Sequence, residues 1–105
     1  MSIDNTKVID GVAINNKGQL ILLMSDHLDW IDEYNHLLLL QDKINAYCAF
    51  CETKQYLSLY PGVNFGSAII EIHFRNEPTR NALHFLSIVQ STLAPDGIML
   101  ECHVD

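Results

Sequence analysis

Basic residues are scarce: six lysines and arginines stand against thirteen aspartates and glutamates, giving a formal charge of −7. Nucleic acids and anionic membranes need clustered cations, so neither is expected as a partner, whereas a basic protein is compatible. Cysteines number three, an odd count that makes no disulfide framework and suits a reducing compartment. The five glycines are scattered and form neither GxGxxG nor GxxxxGKS/T, so no phosphate cradle is indicated. No apolar run approaches the ~18 residues that suggest a membrane span. No charged-then-apolar leader opens the chain either, and the expectation is a cytoplasmic protein. HExxH, the GxSxG elbow and the EF-hand loop are also missing, and no cofactor is implied.

What is present is one small domain. Hydrophobic residues make up 49% of 105 positions, enough for a self-sufficient core. Residues 1–6 read as a polar leader that frays, and residues 7–105 as the folded unit. Lys7 to Ile14 places Val8, Val12 and Ile14 on one face of a strand, with Gly11 as a candidate bulge. Asn15-Asn16-Lys17-Gly18 has hairpin-turn chemistry, and Gln19 to Met24 follows as a second strand, apolar on both faces.

The segment from Asp26 to Thr53 carries the clearest helical repeat. Trp30, Tyr34, Leu37, Leu38, Ile44, Tyr47, Cys48 and Cys51 form its apolar stripe. Asp29 is placed to cap the start, so the helix is expected from near Trp30 for about 22 to 24 residues, or ~35 Å. Asp32, His36, Asp42, Lys43 and Asn45 occupy the polar side, interrupted by Leu39 and Phe50. Those two are either exposed hydrophobes or part of a contact with another chain.

Residues 54–67 are apolar enough to pack down and close one end of the core. Ala68 to Arg75 is the clearest strand, and Pro78 to Leu93 a second helix ended by Pro95-Asp96-Gly97. Ile98 to Val104 is the last strand, with Ile98, Leu100, Cys102 and Val104 inward. The order ββαβαβ specifies an α+β two-layer sandwich, two helices on one face of a four-stranded mixed sheet.

Four groups of residues invite chemistry. On the last two strands, Glu71, His73, Arg75, Glu101 and His103 would line an outer face that meets solvent or a second subunit. At the start of the long helix, Asp26, His27, Asp29, Asp32, Glu33 and His36 carry the oxygen and imidazole donors that divalent metals take. Acids also gather there for capping and dipole reasons alone. Cys48-Ala-Phe-Cys51 is a CxxC, but late in a helix, where the dipole opposes a thiolate. For zinc it would need Cys102 and His103 as a second half; as packing, both cysteines lie on the apolar stripe. Gln41 and Asn45, four residues apart, are suited to hold a loop such as Tyr60-Pro61.

The strings SDHLDW, HLLLLQDKINAYCAF and PTRNALHFL resemble a family of small bacterial proteins of unknown function. There a D-H-L-x-W segment leads into an H-L-x-x-L-Q-x-K-x-N-x-Y helix. The shared positions are Asp26, His27, Leu28, Trp30, His36, Leu37, Gln41, Lys43, Asn45 and Tyr47. The resemblance implies a single-domain cytosolic protein and no particular activity. Asp26, His27, Trp30 and His36 stand as the candidate binding set. The leading expectation is a non-enzymatic protein-interaction module that pairs with itself as a homodimer, an immunity-like or antitoxin-like role being one form. The alternative is a small-molecule or metal-dependent enzyme centred on the acidic and histidine cluster.

Overall fold

The computed structural model describes residues 3–63 and 65–105; Met1, Ser2 and Asn64 lie outside them. Its elements run β1 (Gly11–Ile14), β2 (Leu20–Asp26), α1 (Glu33–Glu52), β3 (Ala68–Phe74), α2 (Arg80–Leu93) and β4 (Ile98–Val104). The sheet order is β1-β2-β3-β4, with β1 antiparallel to β2 and the other three strands mutually parallel. This is the expected α+β arrangement, two helices and a four-stranded mixed sheet.

Strand alternation decides which side is covered. Leu20, Leu22 and Met24 of β2, Ala68, Ile70, Ile72 and Phe74 of β3, and Ile98 of β4 form one cluster with Leu40, Ile44, Tyr47 and Phe50 of α1 and Leu86 of α2. Both helices therefore cover the same face. Cys102 and Val104 also alternate toward that side, yet they are exposed, because β4 is an edge strand and runs past the cover. Gln90 of α2 clamps this edge, donating to Ile98 O at 3.2 Å and accepting from Leu100 N at 2.6 Å. Part of the backbone that would otherwise attract another strand is thereby occupied.

The first hairpin forms as its turn chemistry requires. Asn15 Oδ1 accepts from the backbone N–H of Lys17 and Gln19, and Gly18 takes a positive φ of 75°. Gly11 makes no bulge, since its pairing continues unbroken from Gly11↔Leu23 to Ile14↔Leu20. A Cβ at that position would come within 3.0 Å of Leu23 Cδ1, so the missing side chain makes room for Leu23.

The long helix departs from its expected start and face. It begins at Glu33, capped by Asp32, which accepts from Asn35 N. Its buried positions are His36, Leu40, Lys43, Ile44, Tyr47 and Phe50. Tyr34 and Leu38 face outward at 72% and 42% exposure, and Leu39 is half-buried against the core. Two residues assigned to the polar side, His36 and Lys43, thus point inward. Gln41 and Asn45 stand apart from the Tyr60-Pro61 loop and border a groove with Phe85, Ile88, Val89 and Leu93 of α2. After α1, a 3₁₀ turn at Gln55–Ser58 buries Tyr56, whose ring meets Phe50 and Phe65, so this segment closes the core as expected.

The reason Lys43 turns inward lies in the first ten residues. Its Nζ, on a side chain with no solvent exposure, donates to Asn5 O at 2.8 Å, Val8 O at 3.0 Å and Asp10 Oδ1 at 2.9 Å. Asp10 Oδ2 accepts in turn from Ser25 N, and the Tyr47 hydroxyl accepts from Asp10 N while donating to Leu23 O. Residues 3–10 are therefore held in place, with Ile3 fully buried in the core. Their carbonyls serve Lys43 in place of a strand ladder, which shortens β1 from the expected eight residues to four. Replacing one partner of a buried, hydrogen-bonded ion pair leaves the other uncompensated. Lys43→Ala is therefore expected to lower unfolding free energy by about 3–5 kcal/mol in urea titration.

Candidate functional site

Asp26 ends β2, and α1 begins seven residues later, so the connection brings His36 back over the end of the sheet. His36 Nδ1 lies 2.9 Å from Asp29 O, a carbonyl that can only accept, so this nitrogen carries a proton. Its Nε2 meets Asp26 Oδ2 at 2.5 Å, and a proton lies between them. Both groups are 2% exposed. Trp30 stacks on the imidazole, with ring centroids 3.6 Å apart and planes inclined by 17°. The indole N–H donates to Asn76 O, and Asn76 Nδ2 donates to Leu28 O, which ties this corner to the segment after β3.

Three of the four candidate binding residues, Asp26, Trp30 and His36, therefore meet in space, while His27 stays exposed beside them. The trio does not present a free base or ligand. Both imidazole nitrogens are engaged, and Asp26 Oδ1 accepts from Leu28 N. The other acids of this stretch do not converge on it. Asp29 accepts from Ile31 N, Asp32 caps α1, and Glu33 accepts from Asn81 Nδ2 of α2. The Asn81 contact, followed by one from Thr79, lowers the Glu33 pKa below the usual carboxylate value. A metal centre at the helix start thus lacks converging donors.

The outer sheet face is organised in rows, because β2, β3 and β4 run parallel without stagger. Ala13, Ile21, Ile69 and Met99 form an apolar row across all four strands. Gly11, Leu23, Glu71 and Glu101 form the next, followed by Ser25, His73 and His103. The expected interface set is thereby brought together, with Arg75 just beyond β3. Each histidine turns to the glutamate of its own strand: His73 Nε2 lies 2.6 Å from Glu71 Oε1, and His103 Nε2 lies 2.9 Å from Glu101 Oε1. The two imidazoles stack at 4.8 Å with a 10° tilt. Asp105 approaches His73 Nδ1 at 3.3 Å. An open depression of about 430 Å³ adjoins them at the carboxyl ends of the strands, lined by Ser25, Asp26, His27, His73, Arg75 and Asp105.

The CxxC pair behaves as packing. Cys48 and Cys51 are half-buried and unpaired with one another, and both border the core. Burial raises both thiols, Cys51 to about 11, with Cys48 and Glu52 adding to it. Cys102 and His103 alternate to opposite faces of β4, so they do not complete a zinc site with the pair.

The chain belongs to DUF6572, a family of unknown function. The family model matches residues 1–105. No curated protein and no solved structure matches the chain. Membership accords with the resemblance to a family of unknown function and carries no activity with it. Among the described residues, no helix is long and apolar enough to cross a membrane.

Asp29, Asp32 and Glu33 do not gather at His36 because each is taken by a different partner: Ile31 N, the Asn35 N–H at the helix start, and Asn81. Sequence reasoning passed over Lys43 and Asn76 as partners, although Lys43 stands at three- and four-residue spacing from Leu40 and Tyr47.

Two measurements follow from the ionisable groups. Glu71, by hydrogen bonding, raises the His73 pKa above 6.5, and Asp105 adds to this. A raised histidine stabilises the fold fully below its unfolded value of about 6.5, and this contribution is lost as pH rises through the folded value. The urea midpoint should therefore fall on going from about pH 6 to about pH 8. The fall should be smaller in His73→Asn, and modest throughout because the side chain is 31% exposed. The raised thiols predict slow alkylation of Cys48 and Cys51 by iodoacetamide at about pH 8 in the folded protein, accelerating on unfolding, as counted by mass spectrometry.

Proposed function

We propose that this domain is a non-enzymatic interaction module that associates with a second copy of itself through the outer face of its sheet. The observation that carries the reading is the apolar row Ala13, Ile21, Ile69 and Met99, which crosses the whole sheet on the side without helices; Ile21 and Ile69 at its centre are only 8% exposed, and Met99 is the large member left open. Parallel strands are ordinarily covered on both faces, yet Met99 remains 54% exposed here. Beside that row lie the glutamate and histidine rows, so the face has an apolar strip with a polar border, the layout of a protein interface. A twofold axis crossing the apolar strip sets it against itself, as an isologous contact requires. The engaged nitrogens of His36 further support a non-enzymatic role, because the best-formed polar cluster has no group free for catalysis.

The competing surface is the outer side of the helices, where Tyr34, Leu38, Leu83 and Ile88 are exposed. Sedimentation equilibrium separates the two. The native chain is expected to be a dimer, and Ala13→Lys/Met99→Lys a monomer with unchanged circular dichroism. Leu38→Lys/Leu83→Lys should remain dimeric. A monomeric native chain at high micromolar concentration overturns the reading, as does a dimer broken only by the helix substitutions.

A further inference from the structure

We infer that Glu71, His73 and His103 form a binding site for a divalent first-row transition cation of the zinc type. Among the described residues this is the one group of histidine, cysteine or acidic side chains whose donor atoms converge. One ligand atom from each lies within 4.8 Å of the other two. Zinc bonds of ~2.0–2.1 Å in a tetrahedron place donor atoms about 3.3 Å apart, so the widest separation closes by at most roughly 1.5 Å, while Glu71 Oε1 and His73 Nε2, now 2.6 Å apart, open to admit the ion. The side chains are half-buried on the face without helices, and side-chain rotation is the movement the inference requires.

The surroundings favour a cation over mere packing. Parallel pairing sets Glu71 beside Glu101 and His73 beside His103, like next to like. Neighbouring carboxylates across strands repel, and a cation held by Glu71 offsets that repulsion. Asp105, placed at His73 Nδ1, is positioned to hold the imidazole from behind while Nε2 faces the metal, the supporting contact that metal-binding histidines generally make. Two imidazoles and a carboxylate make a borderline donor set suited to zinc, cobalt or nickel rather than calcium or magnesium. Three protein ligands leave a fourth position for water, next to the depression lined by His73, Ser25 and His27. All ligands come from one chain, so the site does not depend on self-association.

Isothermal titration of chelator-treated protein with Zn²⁺ tests this, with Co²⁺ absorption as a readout of tetrahedral geometry. The titration is run on the native chain and on the Ala13→Lys/Met99→Lys variant, so that failure of the dimer and failure of the metal site are read separately. One equivalent per chain is expected in both. His73→Asn and His103→Asn should each weaken binding at least tenfold, with circular dichroism unchanged, and Cys48→Ser/Cys51→Ser/Cys102→Ser should bind as the native chain does. Absence of stoichiometric Zn²⁺ binding overturns the inference. So does binding that survives both histidine substitutions, or that disappears with the cysteines.

Discussion

The architecture rests on a chiral constraint applied twice. Parallel strands joined through a helix cross over with one hand in nearly all proteins. Here the two crossovers, β2 to β3 and β3 to β4, advance in the same direction across the sheet. Equal hand and equal direction put α1 and α2 on the same side. The other side is then left without helices by construction, although Ile21 and Ile69 at its centre are only 8% exposed. The uncovered face is a consequence of strand order, and the side chains on it are what distinguish this domain from any other with the same order.

On the covered side, a polar clamp is set into the apolar core. Lys43 and Tyr47, one turn apart on α1, reach to Asp10 and the backbone around it, and Asp10 reaches on to β2. A buried ammonium is costly unless its donors are occupied. Three acceptors from one short segment occupy it here, and they fix that segment's course. This clamp connects the chain's first ten residues, its longest helix and its second strand. Those elements must therefore be in place together before the Lys43 charge is compensated.

How far the sequence was readable follows from these contacts. Strands alternate by geometry, so β3, β4 and the hairpin could be read from period two; the end of α2 at Leu93 could be read from the turn chemistry of Pro95-Asp96-Gly97, whereas its start, expected at Pro78, falls at Arg80 because the Thr79 side chain caps it. Helix α1 could be placed but not oriented. Its inward face, His36, Leu40, Lys43, Ile44, Tyr47 and Phe50, has the spacing of a core stripe, yet two of its members are cationic or polar. A reading that equates apolar with inward rotates the helix toward Tyr34 and Leu38. The acceptors that make Lys43 an interior residue come from 33 to 38 positions away, and no local pattern announces them. The Asp26, Trp30 and His36 grouping was visible as a motif, whereas its closed hydrogen bonding was not. That depended on the carbonyl of Asp29 and on Asn76 from the other side of β3.

The bare face owes its chemistry to strand direction. Both β3 and β4 carry a glutamate two residues before a histidine, at Glu71 and His73 and at Glu101 and His103. Had the two strands paired antiparallel about the same centre, each glutamate would lie opposite the other strand's histidine, and the charges would cancel across the ladder. Parallel pairing without stagger brings acid to acid and imidazole to imidazole instead. Each histidine then has only its own strand's glutamate, and His73 also Asp105, to lean on. These contacts offset part of the repulsion within the glutamate row, and a positive charge or complementary surface meeting the face would offset more. A simple period-two repeat becomes a two-by-two array of donors through topology alone, which is why the array is evident only once the pairing is known.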